Sequence, residues 1–209
     1  MSRAQLKRNK PVLGLVGGIG AGKTSVARIL KTLGAAVIDS DRLAHEEFRD
    51  PEVVATLVRW WGGGIRSADG TIDRKAVAEV VFRSPEEIER LEGLLYPRLA
   101  ARREALIARY EADPAVRAIV LDAPKLYEAG VDRLCHAVVF VDAERELRLQ
   151  RVAAARGWTE VELVLRENNL EPLDKKKAIA DYTVVNHSSI AELRREIERV
   201  FASVLARFS

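Results

Sequence analysis

Short apolar runs alternate with amphipathic stretches along most of the chain. The runs are rich in valine, isoleucine and leucine, as strands buried on both faces of a parallel sheet usually are. The stretches between them repeat their apolar residues with the period of a helix. This alternation predicts an α/β fold with a parallel sheet and right-handed crossovers. The predicted strands are 12–17, 36–39, 118–123, 137–142 and 181–186, and the predicted helices are 22–33, 42–60, 143–169 and 188–207.

Two segments interrupt the alternation and predict helical additions to a single domain. Residues 62–112 contain helical patterns without a convincing core strand, and residues 150–180 are charged and helical. We expect a substrate-binding insertion and a mobile lid, respectively, because additions to an α/β sheet often carry function. Plain packing helices are the alternative. The predicted core comprises residues 11–61, 113–149 and 181–209.

The composition is that of an ordinary globular protein of 209 residues, 48% hydrophobic and 31% charged. No apolar run reaches the ~20 residues of a membrane helix, and no signal-peptide segment follows the basic residues 1–10. We expect a cytoplasmic protein with a solvated N-terminal tail and no membrane partner. The net charge of +3 is too small to indicate a nucleic-acid partner. Cys135, the single cysteine, lies in an apolar run that predicts a buried thiol.

A glycine-rich run lies between the first predicted strand and the first predicted helix. It reads GGIGAGKT and fits the phosphate-binding pattern G-x-x-x-x-G-K-[ST]. Glycines let successive backbone N–H groups point into one concavity, and the next helix adds its positive N-terminus. Lys23 would reach the β- and γ-phosphates, and the Thr24 hydroxyl would bind Mg²⁺. The run predicts a nucleoside triphosphate site formed by Gly17, Gly18, Ile19, Gly20, Ala21, Gly22, Lys23, Thr24 and Ser25.

Three classes of protein use such a loop: switch GTPases, ATPase motors and small-molecule kinases. A GTPase should carry N-K-x-D after a strand, but Asn186 is followed by His187. A motor usually has a hydrophobic run that ends in Asp-Glu, whereas Asp122 is followed by Ala123. Asp122 would then be an outer group of the Mg²⁺ site or a strand-end cap. The kinase class fits the sequence best.

Kinase chemistry requires an acceptor for the hydroxyl proton and cations near the moving phosphoryl group. Asp39 and Asp41 end the second predicted strand, where a period of two would place both carboxylates on one face at the carboxyl edge of the sheet. One would be the general base and the other would help to hold Mg²⁺. Capping of the following helix is the alternative. Arginines after the fourth strand would supply the cations: Arg148, Arg151 and Arg156.

Further segments, in their order along the chain, resemble the dephospho-CoA kinase family of P-loop kinases. GLVGGIGAGKT resembles the family's phosphate loop, and LGAAVIDSDRLAHE resembles its second strand and next helix. DGTIDRKAVAEVVF, LEGLLYPRL, DAPKLYE and ADYTVVN resemble later family segments. The resemblance extends from about residue 12 to residue 205. It implies a P-loop NTPase-like fold with a five-stranded parallel sheet, and phosphorylation of the 3′-hydroxyl of dephospho-CoA by ATP with Mg²⁺.

The resemblance also implies roles for individual residues. Asp41 matches the family's general base, Lys23 and Arg151 match its phosphate-contacting cations, and Thr24 matches its metal ligand. Asn186 lies where the family places a residue near the adenine of ATP. The expected partners are small-molecule substrates, and the expected assembly is a monomer or a small homo-oligomer. Dephospho-CoA would contact Asp41, Asp73, Arg74, Tyr96 and Pro124.

Several positions on the substrate side depart from the family pattern. Tyr96 replaces a histidine, Lys125 replaces a leucine, and residues 168–170 lack the usual lid glutamine. Arg151 and Arg156 are five residues apart, one more than is usual. Two rival functions stay open. One is a kinase with another acceptor, such as a nucleoside or nucleotide, and the other is an ATP-binding protein without turnover.

Overall fold

A parallel sheet of five strands organises the computed structural model, which describes residues 7–81, 83–168, 170–187 and 189–208. The order across the sheet is β2-β3-β1-β4-β5, and each neighbouring pair is parallel. The predicted strands are confirmed, and their ends differ from the prediction by at most one residue. The strands are β1 (Val12–Gly17), β2 (Ala35–Asp39), β3 (Ala118–Asp122), β4 (Ala137–Asp142) and β5 (Tyr182–Val185).

Helices connect the strands, and short 3₁₀ turns occur at Gly63–Ile65 and Val131–Leu134. Within the described part of the chain, no helix is both long and apolar enough to cross a membrane. The helices are α1 (Lys23–Thr32), α2 (Ser40–Glu47), α3 (Pro51–Trp61), α4 (Arg74–Val81), α5 (Pro85–Ala112), α6 (Arg145–Arg156), α7 (Glu160–Glu167), α8 (Leu173–Ile179) and α9 (Ile190–Phe208).

The chain forms two compact units, of which the first contains the sheet. This unit runs to Asp39 and resumes at Ile107. Its core joins the central strands to α1 and α9, which explains why β1 and β4 are almost continuously apolar. Cys135 is fully buried, as predicted. The core includes Leu13, Leu15, Ile29, Leu30, Val139, Val141, Ile197 and Phe201.

The second unit, Ser40–Leu106, begins earlier than the predicted insertion at residue 62. The sequence interpretation assigned residues 42–60 to the core that contains the sheet. In the structure, α3 and Phe48, the residue that follows α2, share a separate apolar core with α4 and α5. α5 also continues through Pro97, so the helical patterns on either side of this proline form one helix. The shared core contains Phe48, Val53, Leu57, Ile65, Val77 and Leu95.

The prediction of one helix over residues 42–60 is wrong because a new helix begins at Pro51. Asp50 is the N-cap of α3, and its Oδ1 accepts hydrogen bonds from the backbone N–H groups of Glu52 (2.9 Å) and Val53 (3.3 Å). Proline is well suited to the first helical position, where its missing N–H is not needed. The cap and the proline together end one helix and start the next.

The prediction of one helix over residues 143–169 is also wrong. α6 ends at Arg156, and the next residue, Gly157, adopts a left-handed conformation with φ of 67°. α7 then starts with a capping box, in which Thr159 and Glu162 bond each other's backbone N–H groups. Two reciprocal bonds satisfy donors that a helix start leaves open. The predicted lid, residues 150–180, therefore begins inside α6.

Residues 8–10 do not form a solvated tail as predicted. The Asn9 N–H donates to Glu111 Oε1 (3.0 Å), and Lys10 Nζ donates to the Tyr110 carbonyl (2.9 Å). Arg8 lies 3.7 Å from the second oxygen of Glu111. These contacts fasten the segment before β1 to the end of α5. The remainder of the predicted tail (residues 1–6), Asn169 of the lid and Ser188 at the start of the last predicted helix lie outside the described residues.

Candidate active site

The phosphate loop occupies the turn between β1 and α1, at the centre of the sheet. β1 lies between β3 and β4 in the sheet. The strands β2 and β3 lie on one side of β1 and the strands β4 and β5 on the other, so the strand order reverses at β1. Open α/β sheets bind ligands in the crevice beyond the carboxyl ends of their strands at such a point. The predicted triphosphate loop therefore lies where this fold provides a ligand crevice.

Gly22 shows why the loop requires glycine. It is the N-cap of α1 with a φ of 92°, a conformation that residues with a side chain rarely adopt. A Cβ at this position would lie 2.1 Å from Asn186 Nδ2. α1 starts at the next residue, so the positive end of this helix lies at the loop. Loop and helix together form an anion site of the kind found at helix N-termini.

Lys23 and Thr24 lie in the first turn of α1. Lys23 Nζ donates hydrogen bonds to the carbonyl oxygens of Gly17 (3.0 Å) and Gly18 (3.3 Å). The ammonium group therefore lies along the loop, where phosphate oxygens would bind it more strongly than neutral carbonyls do. Thr24 is exposed, so its hydroxyl is accessible to a cation. Both positions are compatible with the predicted roles, which stay predictions.

Arg151 and Asn186 hold the far end of the loop. Arg151 Nη1 donates to the carbonyl oxygens of Gly20 (3.4 Å) and Ala21 (3.3 Å), and its Nη2 donates to the Asn186 carbonyl (3.0 Å). Asn186 is only 6% exposed, and its Nδ2 also donates to the Ala21 carbonyl (2.7 Å). The structural role of Asn186 is thus to hold the loop, and its contact with adenine stays a prediction.

The other two arginines of the predicted cluster have different surroundings. Arg148 donates to the Ile19 carbonyl (3.3 Å) and forms an ion pair with Glu167. Arg156 instead lies over the ring of Trp158, with 4.6 Å between the guanidinium carbon and the ring centroid. The structure therefore brings Arg148 and Arg151 to the loop, whereas Arg156 is directed to an aromatic ring.

Asp39 and Asp122 end the neighbouring strands β2 and β3 as register partners. Their carboxylates therefore leave the sheet on the same side. Asp122 is also paired with Leu15 of β1, two residues before Gly17, so this acidic pair lies beside the strand that leads into the loop. Carboxylates, a hydroxyl and phosphate oxygens are the hard ligands that Mg²⁺ prefers. The donor set around the loop fits this ion.

Asp41 lies in the first turn of α2 and is exposed. The argument that a period of two places Asp39 and Asp41 on one face is wrong, because α2 begins at Ser40 and the two carboxylates belong to different elements. An acidic residue in the first turn also stabilises the helix N-terminus. The general-base role of Asp41 stays a prediction from the family resemblance.

Arg74 and Tyr96 make contacts within the second unit. The Arg74 guanidinium lies 5.9 Å from the centroid of the Phe48 ring, and its Nη1 is 3.4 Å from His45 Nδ1. The Tyr96 hydroxyl donates to Glu92 Oε1 (2.6 Å), one turn earlier on α5. Arg74 is thus fixed against α2 and the residue that follows it, whereas Tyr96 stays on the surface of its own helix. Their contacts with dephospho-CoA remain predictions.

The buried Lys176 is a feature that sequence reasoning missed. Its side chain is 2% exposed, and its Nζ donates to the Pro124 carbonyl (3.1 Å) and pairs with Glu128 (3.0 Å). Burial opposes ionisation of Glu128, but the backbone N–H groups of Glu171 and Glu128 and the Lys176 ammonium outweigh it and hold its pKa below the usual value. No sequence pattern separates Lys176 from the two lysines that flank it, which are exposed. The pair fixes the predicted substrate residue Pro124 to α8.

Asp73 has a structural role in addition to its predicted substrate contact. Its Oδ1 accepts hydrogen bonds from the N–H groups of Lys75 (2.8 Å) and Ala76 (3.3 Å) at the start of α4. We expect Asp73→Ala to lower the free energy of unfolding by about 0.5–2 kcal/mol in urea denaturation, because the helix loses its cap. Asp73→Ser retains a capping oxygen and should unfold like the parent protein.

The Michaelis constant for dephospho-CoA separates the two roles of Asp73. If the carboxylate contacts the substrate, the KM should rise in both variants, although only Asp73→Ala is destabilised. An unchanged KM in Asp73→Ser would show that Asp73 only caps α4.

Comparisons with known proteins agree with this arrangement. The profile of the dephospho-CoA kinase family matches residues 11–192. The dephospho-CoA kinase of Streptomyces avermitilis is 35% identical to this chain over 93% of it and 94% of the relative. The crystal structure of TT1252 from Thermus thermophilus has a TM-score of 0.81 at 30% identity and covers 93% of this chain and 97% of that chain. The dephospho-CoA kinase from Campylobacter jejuni shares the fold, with a TM-score of 0.64 at 22% identity over 94% of this chain and 98% of that chain. The chain therefore belongs to the dephospho-CoA kinase family.

Proposed function

We propose that this protein transfers the γ-phosphoryl group of ATP to the 3′-hydroxyl of dephospho-CoA, which gives coenzyme A and ADP. The observation that carries the proposal is the family match over nearly the whole chain, together with a phosphate loop at the central strand. Such a kinase needs a cradle for the phosphates, cations for the moving charge and an acceptor for the hydroxyl proton. The chain has a candidate residue for each task.

The phosphate loop supplies the cradle and the first cation. Its backbone N–H groups bind the phosphate oxygens, and Lys23 transfers its hydrogen bonds from the Gly17 and Gly18 carbonyls to the β- and γ-phosphates. The Thr24 hydroxyl would bind Mg²⁺, and Asp39 and Asp122 would bind the water ligands of that ion. When bound, Mg²⁺ neutralises phosphate charge and orients the two terminal phosphates.

Asp41 is the general base of the proposed reaction. Its carboxylate accepts the proton of the 3′-hydroxyl as that oxygen bonds to the γ-phosphorus and the bond to the β–γ bridging oxygen breaks. Arg151 adds positive charge beside the loop, where its guanidinium contacts the Gly20 and Ala21 carbonyls. The exposure of Asp41 on α2 leaves its carboxylate accessible to a substrate hydroxyl.

Dephospho-CoA would bind through Asp73, Arg74, Tyr96 and Pro124, and the segment after α6 would close as a lid. α6 is continuous to Arg156, and its side chains contact the loop. We therefore expect the moving part of the lid to start at Gly157 and not at residue 150. Gly157 separates α6 from α7 and has no side chain to restrict its backbone, so it would be the hinge of the lid.

Acceptor-dependent release of ADP tests the proposal. The protein is incubated with ATP and Mg²⁺ alone, with dephospho-CoA, and with coenzyme A, which already carries the 3′-phosphate. We expect strong stimulation by dephospho-CoA only, with a product phosphorylated at the 3′ position. ADP release that dephospho-CoA does not change, in a protein shown to bind ATP, would contradict the proposal. A panel of nucleosides and nucleotides would then identify the alternative acceptor.

A further inference from the structure

Arg148 is almost fully buried beside the phosphate loop, and the proposed reaction takes its cation from the predicted arginine cluster at Arg151, not at Arg148. It lies on α6 with 5% of its surface exposed. Arginine is rarely this buried unless it is paired. Its Nη1 lies 3.3 Å from the Ile19 carbonyl oxygen and also pairs with Glu167 at the end of α7. Arg148 therefore connects the phosphate loop to the segment that follows α6.

The absence of a side chain at Gly18 permits this close contact. A Cβ on Gly18 would lie 2.7 Å from Arg148 Nη1 and 3.1 Å from its guanidinium carbon. Any larger residue at position 18 would displace the guanidinium from the loop. The geometry of the loop and the position of Arg148 therefore depend on each other.

The hydrogen bond from Arg148 fixes the orientation of one peptide group. The Ile19 carbonyl and the Gly20 N–H belong to the same planar trans peptide, so they point in opposite directions. When Arg148 holds the carbonyl on one side of the loop, the Gly20 N–H is directed to the other side. Phosphate loops bind their anion through backbone N–H groups that converge in a concavity. The bond from Arg148 therefore limits the direction of one N–H group of the phosphate loop.

Glu167 balances the charge of Arg148, since a buried cation requires a partner. The ion pair between Arg148 and Glu167 adds little to the stability of the fold, because Arg148 Nε is buried and has no acceptor among the described residues. A buried donor without an acceptor carries a desolvation cost that the ion pair must offset. A buried ion pair that leaves one hydrogen-bond donor without an acceptor is better explained by a role in positioning than by a role in stability.

We infer that Arg148 is a positioning residue for ATP, which presents the Gly20 N–H to the phosphates, and that Glu167 holds Arg148 in place. The inference rests on the proposed function only in assigning ATP to the loop. Loss of the guanidinium should weaken ATP binding, because the orientation of the Gly20 N–H is then no longer fixed by a hydrogen bond to the Ile19 carbonyl. The transfer step itself should not change.

The test measures ATP binding and turnover separately. We expect Arg148→Met to raise the Kd for ATP about tenfold in calorimetry without dephospho-CoA, as the loss of one charged hydrogen bond would. The KM for ATP should rise in parallel, while kcat at saturating ATP stays within about twofold. A variant that is only less well folded would contain less active protein, so its apparent kcat would fall. Its Kd and its KM for ATP would stay at the parental values. Arg148→Lys retains a charged donor and should recover part of the affinity.

Arg145→Met is the matched control, because Arg145 lies on the same helix and 3.9 Å from Glu167 but is 46% exposed and bonded to Glu160. It should bind ATP like the parent. The double variant Arg148→Met/Glu167→Met removes both charges of the pair and so protects folding, and it should show the same tenfold loss.

Parental ATP binding in the folded double variant would overturn the inference, as would an equal loss in Arg145→Met. A parent protein that binds ATP but does not respond to dephospho-CoA would contradict the proposed function instead. The comparison of ATP affinities remains valid in that case, because it is made without the acceptor.

Discussion

Asp41→Asn should lower kcat by about 10²–10⁴, because the amide cannot accept the proton of the attacking hydroxyl. The substitution keeps the size of the side chain and leaves the phosphate loop unchanged. The Kd for ATP, measured by calorimetry, should therefore stay at the parental value. Steady-state ADP release at saturating dephospho-CoA measures the loss.

Asp39→Asn is the matched control for Asp41, since it makes the same chemical change two residues earlier. Asp39 ends β2 opposite Asp122, so its loss should act on the Mg²⁺ concentration required for the half-maximal rate. A larger fall in kcat for Asp39→Asn than for Asp41→Asn would reverse the two assignments. Parental turnover in Asp41→Asn would remove the general-base role from this residue.

The parts of the fold that depend on neighbouring residues could be predicted from the sequence. The five strands were recognised because burial within a parallel sheet requires nearly continuous apolar residues. The phosphate loop was recognised because it uses successive residues of one turn, whose spacing is visible in the chain. The breaks at Asp50–Pro51 and at Thr159–Glu162 were also encoded locally, as a capped proline start and a capping box. The apolar residues keep a helical period on both sides of each break, so each segment resembles one uninterrupted helix.

The remaining features depend on contacts between residues that are far apart in the chain. Arg148 contacts Ile19 across 129 residues, and Asn186 contacts Ala21 across 165 residues. Nothing in the sequence near either residue indicates its partner, and an arginine on a helix is usually exposed. The sequence interpretation therefore named Arg148 and Asn186 as candidate site residues but did not predict that they hold the loop through its carbonyl groups. The strand periodicity was wrongly extended to Asp41 because α2 begins at Ser40, directly after β2. No turn residue marks the change from strand to helix.

Glu128→Ala should lower the free energy of unfolding by about 3–5 kcal/mol, because it leaves the Lys176 ammonium buried without a counter-ion. In a domain of this size, that loss corresponds to a fall in Tm of roughly 6–20 °C in a thermal scan. Lys176 is 2% exposed and retains only the Pro124 carbonyl as an acceptor among the contacts described above. The double variant Glu128→Gln/Lys176→Met should recover most of the stability, since it removes both charges.

Lys175→Met is the control for Lys176, because Lys175 is 60% exposed and its ion pair with Glu171, one turn earlier, lies on the surface. Such a surface pair contributes about 0–1 kcal/mol, so the variant should unfold nearly like the parent. If Lys175→Met and Glu128→Ala destabilised the protein equally, the burial of Lys176 would not be the cause.

The pH dependence of unfolding gives an independent check on the pair of Glu128 and Lys176. The pKa of Glu128 lies below its usual value of 4.5 in the folded protein, so folding favours the ionised carboxylate. The stability that it contributes is complete above about pH 4.5 and is lost as the pH falls through the lower folded-state pKa. Glu128→Gln cannot ionise at any pH. The difference in unfolding free energy between parent and variant should therefore be constant near neutral pH and shrink in acid, and a difference that stays constant in acid would show that the charge of Glu128 does not stabilise the fold.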